Sequence, residues 1–401
     1  MDILKEALEL ESWIVNIRRK IHRRPELDFD LDETVALVEN ELTAMNIPHR
    51  RCAGSGIAAW IDGSRSGPIV LLRADMDGLP IHEETAHPYS SEIPGRMHGC
   101  GHDGHVACLL GAARMLTRQR ENFNGRALLA FQPAEETTGG AQPMIDDDLW
   151  GERAPSAALA LHVNPDLPAG TIGVNRGTAM AASDTFDLTI RGIGCHGAEP
   201  HKGIDTIAVA CQTVTALQHI VSRRTDPTDS AVVTVGSFHG GTGRNVVAEE
   251  VRLEGIIRSV GGELRERIKE QVRTTATAIP KALGASANIQ FARSYPTLDN
   301  NPQVCAVVEG CAREILGTQN VVPVDRPSMG VDDFAYFAQI IPSCYFTLGI
   351  RNEAQGITAP LHSPRFDLDE SALPLGASIL AKATLRLISG RTPGGRPLKK
   401  P

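Results

Sequence analysis

Apolar positions set out the plan of the chain. Leu10, Ile14, Ile17 and Ile21 recur at helical spacing and predict an amphipathic helix that stops before Pro25. Asp30, with Glu33 three residues on, predicts a capping box for a second helix carrying Val35, Val38 and Leu42. The pattern then changes to short, continuous apolar runs. PIVLLRADMD stops at carboxylates, the mark of a buried strand that delivers Asp75 and Asp77 at its C-terminal end, where α/β sheets place their sites. Val106, Leu109, Leu110, Ala113 and Leu116 predict a helix, after which ALLAFQPAEE ends a strand in Glu135 and Glu136. SAALALHV leaves His162 at the end of a third such strand. Adjacent residues on an extended chain point oppositely, so Glu135 and Glu136 are expected on opposite sides.

From about residue 183 the texture differs. TFDLTI, AVVTVGSF, VRLEGIIRS and ANIQFA read as strands, with helices over 204–221 and 262–282. That order, βαββαβ, is the split pattern of a ferredoxin-like layer. The first texture resumes near Tyr295 with GVDDFAYF, the apolar strand CYFTLGI, and LHSPRFDLDE, which holds His362. The expectation is an α/β protein with a mixed sheet in a larger, discontinuous domain, residues 1–182 plus 295–401. A ferredoxin-like domain of residues 183–294 is inserted into it. The tail RTPGGRPLKKP is basic and rich in Pro and Gly, which predicts disorder.

Composition narrows the function class. The chain has 401 residues, 42% hydrophobic and 22% charged, with a net charge of −8 and a pI near 5.9. An acidic balance argues against nucleic acid or anionic lipid as the main partner. No apolar run approaches the ~18 residues of a membrane span, and the acidic N-terminus MDILKEALELESW is unlike a signal peptide. The expected location is the cytoplasm. The eight cysteines show no disulfide-framework spacing. Cys100 is then available as a ligand, and the other seven are expected to be small buried hydrophobes.

The densest chemistry lies in HGCGHDGH, residues 98–105, which packs Cys100, His102, Asp103 and His105 among three glycines. On a non-helical backbone Cys100 and His102 leave the same side, a thiolate and an imidazole offered to Zn or a neighbouring first-row ion. A glycine-rich turn with a buried Cys and a satisfied His is the plainer alternative, and further ligands decide between them. Cys100, His102, Glu136, His162 and His362 together offer S, N and O donors. Five groups exceed the needs of one tetrahedral ion and suit two ions sharing a carboxylate. Glu135, beside a ligand, is the natural general base for a water and the group that hands its proton to a leaving amine. That favours amide hydrolysis over redox chemistry.

These residues resemble those of the metal-dependent aminoacylase and carboxypeptidase superfamily, in its branch of hippurate hydrolases and auxin-conjugate amidohydrolases. The resemblance runs nearly end to end through RRKIHRRPELDFDLDET, LLRADMDGLPI, MHGCGHDGHVA, FQPAEE, GCHGAEPH, NVVAEEVRLEGIIRS, DDFAYF and LHSPRFDLDE. It implies a dinuclear site with ligands at Cys100, His102, Glu136, His162 and His362, a catalytic glutamate at Glu135, and hydrolysis of N-acyl amino acids. It also implies that the inserted domain dimerises and that His196, in RGIGCHGAEPH, completes the partner's active site, with His201 of the same loop as a competing candidate. Asn245 and Arg258 resemble positions that bind the substrate carboxylate. Asp75 and Asp77 lie where the wider superfamily keeps a metal-binding His and its orienting Asp, so they are expected to support ligands from behind. The metals expected are two divalent ions per subunit, Zn, Mn, Co or Ni. The chain departs from the family pattern at Gly99 for Ala, at Thr137 for the Gly that usually follows QPAEE, and at Val331 and Asp332 in VDDF for SEDF. Rival readings are a dipeptidase, an N-succinyl-diamino-acid desuccinylase, and a catalytically silent metal-binding module.

Overall fold

The computed structural model describes residues 2–390; the tail from Arg391, predicted disordered from its composition, lies outside the described residues. Contacts within the chain divide it into two compact units. One holds residues up to Ala179 together with Asp299–Arg326 and the chain from Asp333 on; the other holds Met180–Leu298 with Pro327–Asp332. The expected joints near Ala182 and Ser294 did not include the 327–332 segment, which carries no helix or strand pattern of its own.

The first unit is built on an eight-stranded mixed sheet. Its order is His49–Cys52, Gly56–Asp62, Arg126–Gln132, Ile69–Asp75, Ala157–Pro168, Ser343–Arg351, Ile172–Val174, Val321–Pro323. The four strands in the middle, 126–132, 69–75, 157–168 and 343–351, run parallel to one another. Ile69–Asp75 is buried at every position, as a central parallel strand should be. Helices Glu11–Arg23, His102–Arg118, Pro302–Leu316 and Leu373–Ile388 contribute Ile14, Ile17, Ile21, Val106, Leu110, Val307 and Leu380 to one core. Gly111 allows close helix packing there, since a Cβ at that position would sit 2.9 Å from Ile14 Cδ1.

One stretch, Glu370–Ile388, is long and apolar enough to cross a membrane by length and composition, although no such run was expected from the sequence. It is 72% buried against this core, so its apolar surface is already covered. The helix after Pro25 begins later than the capping-box reading placed it. It spans Asp32–Ala44, and its first N–H groups are capped from a distance: the Glu26 carboxylate accepts from Glu33 N at 3.0 Å and Thr34 N at 2.8 Å. A capping interaction of this kind stabilises a helix by about 1 kcal/mol.

The second unit is a four-stranded antiparallel sheet in the order Ala231–Gly240, Glu250–Ser259, Ala182–Arg191, Ser286–Tyr295. With helices Thr206–Arg224 and Gly262–Ala282 this is βαββαβ, the first strand lying between the third and the fourth. Phe186, Leu188 and Ile190 alternate into a core shared with Leu217, Ile268 and Val272. Not all the remaining cysteines are buried: Cys211 is exposed and Cys195 half-buried, because each lies on a solvent-facing part of this unit.

Candidate metal centre

The candidate residues of the first unit gather where its parallel strands end. Gly101 has φ 82°, and a Cβ there would strike Val163 Cγ2 at 2.4 Å, so only glycine fits. This left-handed turn makes His102 the first residue of its helix, which rules out the extended geometry expected for Cys100 and His102. The two side chains go to different groups of donors. Cys100, Glu136 and His362 offer atoms within 4.8 Å of one another, as do His102, Glu135 and Glu136. Glu136 is common to both groups. His162 joins through Nε2, 3.5 Å from Cys100 Sγ.

Hydrogen bonds decide which nitrogens remain for a ligand role. His102 Nδ1 donates to the Asp77 carbonyl at 2.8 Å, leaving Nε2 buried with no hydrogen-bond partner. That atom lies 3.9 Å from Glu136 Oε1 and 3.7 Å from Asp75 Oδ2. His162 Nδ1 donates to the Val163 carbonyl at 2.8 Å, which turns Nε2 toward Cys100. Glu136 Oε1 is 3.2 Å from His362 Nε2 but makes no well-angled hydrogen bond. Buried polar atoms without partners are costly, and two of them aimed at one point mark a place for a cation.

His105 shows the opposite pattern, although it stands within 4.8 Å of Asp75, His102 and His162. Its Nδ1 donates to Asp75 Oδ1 at 2.5 Å and its Nε2 accepts from Val163 N at 2.9 Å. Both nitrogens are spent, so His105 is a brace. Arg73 Nη1 donates to Asp75 Oδ2 at 2.5 Å, and Arg73 Nη2 to Asp333 Oδ1 at 3.0 Å. Asp333 also accepts from Gln132 Nε2 and from Ala141 N. Asp77 takes the backbone N–H of Glu135 at 3.0 Å and of Glu136 at 3.1 Å. Asp103 turns away from the centre and accepts from Arg18 Nε at 2.7 Å and His22 Nδ1 at 2.8 Å.

The roles of His105, Arg73, Gln132 and Asp333 were not read from the sequence. One signal was there: an arginine inside the apolar run of a buried strand requires a buried carboxylate partner. Two placements also differ from expectation. His162 is not at a strand end: its strand runs on to Pro168, still paired with Ser343–Arg351 beyond His162. Glu135 and Glu136 do not diverge. Their strand ends at Gln132, and Ala134 at φ 58° turns the chain so that both carboxylates reach the His102 group. A non-glycine residue in that region costs on the order of 1–3 kcal/mol and persists where neighbours hold it. His362, at φ 63°, is held likewise, its N–H donating to the Gly99 carbonyl at 2.8 Å.

Electrostatics describe a centre short of positive charge. Burial opposes a charge on His102, but the carboxylates of Asp75, Asp77 and Glu136 outweigh it and push its pKa up to about 10. Burial, reinforced by Glu136 and Glu135, holds the Cys100 thiol well above its ordinary range. Burial and then His105 hold His162 well below, so it is a neutral donor. Burial raises Glu136, yet His362 and His102 more than offset this and lower it. Cys100 is thus no free nucleophile, and a metal ion is the species that would bring out its thiolate.

The second unit holds the other candidates. His196 is exposed, pairs with Val246, and accepts from Ala198 N through Nδ1 at 3.1 Å. Asn245 is beside it, its carbonyl accepting from Gly197 N at 2.7 Å. His201 is exposed in the short turn Pro200–Lys202. Arg258 is at the opposite end of the 250–259 strand from that loop, paired with Ser183 in register and bonded to its hydroxyl. His196 and Asn245 are therefore together within this unit, and Arg258 is not with them.

Residues 71–386 match the family model described as Peptidase family M20/M25/M40. The chain belongs to this family. It is 38% identical over 381 residues to N-acetyl-L-cysteine deacetylase of Bacillus subtilis, covering 94% of this chain and 89% of that one. It is 37% identical over 392 residues to IAA-amino acid hydrolase ILR1-like 2 of Arabidopsis thaliana, covering 96% and 88%. Among solved structures it resembles the YXEP protein of Bacillus subtilis, described as a dinuclear metal binding peptidase, with a TM-score of 0.82, 31% identity and coverage of 95% and 99%. The protein is a hydrolase of amide bonds, as its family membership and these relatives show.

Proposed function

We propose that this family member hydrolyses the amide bond of N-acyl amino acids, with two divalent ions held by Cys100, His102, Glu136, His162 and His362. The observation that carries the reading is Glu136, shared by two donor groups, with the unpartnered Nε2 of His102 beside it. The donor set of thiolate, imidazole and carboxylate suits Zn, Mn, Co or Ni. Bound there, the ions would polarise the substrate carbonyl and lower the pKa of a water. Glu135, mostly buried and in one group with His102 and Glu136, takes the proton of that water as its oxygen bonds to the carbonyl carbon. It then passes the proton to the amine nitrogen as the C–N bond breaks, releasing a carboxylate and a free amino acid. Asp77 fixes the backbone of both glutamates, and the His105–Asp75–Arg73 chain braces the wall behind them.

The finer parts of the reading extend to the second unit. It serves as a dimerisation domain, and its exposed His196 donates a hydrogen bond to the oxyanion in the partner's site, with His201 bracing the loop. Asn245, beside His196, and Arg258, at the far end of the 250–259 strand, receive the substrate carboxylate from different copies of the chain, and the enzyme works in the cytoplasm. The test of the function is a hydrolysis screen of the purified protein with Zn, Mn, Co or Ni added. Acetyl, benzoyl, indolyl-acetyl and succinyl groups are varied separately from the amino acid, alongside unblocked dipeptides. Release of free amino acid from N-acyl substrates is expected. Cleavage of unblocked dipeptides alone would favour the dipeptidase reading, and metal binding without any hydrolysis would favour the silent module.

A further inference from the structure

The segment Arg18–Asp28 makes contact with three of the loops that carry the centre, although it supplies no ligand. Arg18 and His22 hold Asp103 at the start of the His102 helix. The Glu26 carbonyl accepts from Gly78 N at 2.7 Å, next to Asp77. Asp28 Oδ1 accepts from Thr137 Oγ1 at 2.6 Å and from Thr138 Oγ1 at 3.0 Å, directly after Glu136. The glutamate loop is thereby gripped on both sides, by Asp77 through the N–H groups of Glu135 and Glu136 and by Asp28 through the two hydroxyls. Thr137 stands where the family pattern has Gly, so a hydroxyl anchor is available in this chain that a glycine could not offer.

We propose that Asp28 is a positioning residue that sets the reach of the Glu135 carboxylate through Thr137 and Thr138. The inference rests on the reading of Glu135 as the general base. Asp28 has φ 57°, in the left-handed region that Asp and Asn tolerate better than most residues. Its own conformation is secured from the other side, because Asp30 N donates to the Leu27 carbonyl and the Glu26 carboxylate caps the helix at Asp32. The strained turn at Ala134 needs such holding. A general base must stay within hydrogen-bond reach of its proton, and a displacement of about 1 Å can cost as much as 100-fold in rate.

The test uses the full-length metal-loaded enzyme and four variants. Asp28→Gly removes the carboxylate while tolerating the backbone. Asp28→Asn keeps both an acceptor oxygen and the left-handed preference. Thr137→Val with Thr138→Val removes the donors, and the fourth variant combines these with Asp28→Gly. Asp28→Gly is expected to lower kcat about 10-fold with KM and metal content unchanged, and Asp28→Asn to stay within about 2-fold of the parent, since its acceptor remains. The threonine pair should match Asp28→Gly, and the combined variant should lose no more than either. In the metal-free protein, amide exchange at 135–139 should quicken in Asp28→Gly at unchanged global stability. Additive losses, a fall in metal content parallel to kcat, or unchanged kcat and exchange would each overturn the proposal. Glu135→Gln measured alongside separates the two ideas: if it keeps full turnover the base reading fails, whereas if it is inactive while Asp28→Gly is unaffected only the positioning role fails.

Discussion

His102 and His196 both lie in glycine-rich stretches of the sequence, and the protein treats them in opposite ways. His102 is fully buried, its ring fixed by the Asp77 carbonyl and surrounded by carboxylates. His196 is exposed: its backbone pairs with Val246, and its ring accepts only from Ala198 N among the described residues. A buried ionisable group must find its partners inside the chain, because desolvation without them is expensive. An exposed one bears no such demand, so nothing inside the chain fixes a role for it. The first unit is therefore self-explanatory at the level of single side chains, and the second is not.

The largest expected effect breaks the buried side of that comparison. Exhaustive chelation should abolish turnover, and added Zn, Mn, Co or Ni should restore it; a chelated protein that keeps its rate with no metal detected would remove the basis of the assignment. The metal-free protein also has a pH signature. The folded-state pKa of His102 lies above its ordinary value of 6.5, so the stability it contributes is complete below that value and is lost as pH rises toward about 10. The raised Cys100 thiol acts in the same direction above its own ordinary range. Chelated protein should thus melt at progressively lower temperature across that window. Metal affinity should rise over the same window, because loading displaces protons from these groups. A chelated protein whose melting temperature climbs from neutral pH toward 10 would contradict the electrostatic account.

Next comes the exposed side. Removing an oxyanion donor typically costs ~2.7–4 kcal/mol, or ~100–1,000-fold in kcat, which is the loss expected for His196→Ala. Mixing that inactive variant with inactive Glu135→Gln under subunit exchange should recover part of the activity, since one site of a mixed dimer then has an intact Glu135 and a partner's intact His196. No recovery after verified exchange, or a fully active monomer, would end the idea that this loop works in trans. The smallest effect belongs to Arg258, which is half-buried and bonded to Ser183. Arg258→Ala is expected to raise KM about 10-fold for acyl amino acids and to leave a substrate amide without the carboxylate unaffected, as loss of one charged contact would do. An equal change for both would make Arg258 a structural residue of the second unit's sheet.

The same contrast explains what could be read from the chain. Apolar runs that end in Asp75, Glu135 and Glu136 are local patterns, and so is HGCGHDGH, so the parallel strands and the donor types were legible. Directions were less so. Ala134 and Gly101 adopt left-handed conformations that reverse the simple alternation rule, and no local pattern at Ala134 announces this. The bracing residues depend on contacts between distant segments, since Asp333 meets Gln132 and Arg73 across half the chain or more. Glu26 is close in sequence to the helix it caps, but its carboxylate takes the place that the Asp30–Glu33 spacing predicts for Asp30. The 327–332 segment groups with the second unit by tertiary contact alone.

The most direct test of the central claim compares the two adjacent glutamates, substituted one at a time and measured for both metal content and turnover. Glu135→Gln should retain its metal and lose on the order of 100-fold or more in kcat, because only the proton acceptor is gone. Glu136→Gln should lose metal first, and activity with it, because the shared ligand of both donor groups is weakened. Metal loss in Glu135→Gln together with full metal content in Glu136→Gln would contradict the account.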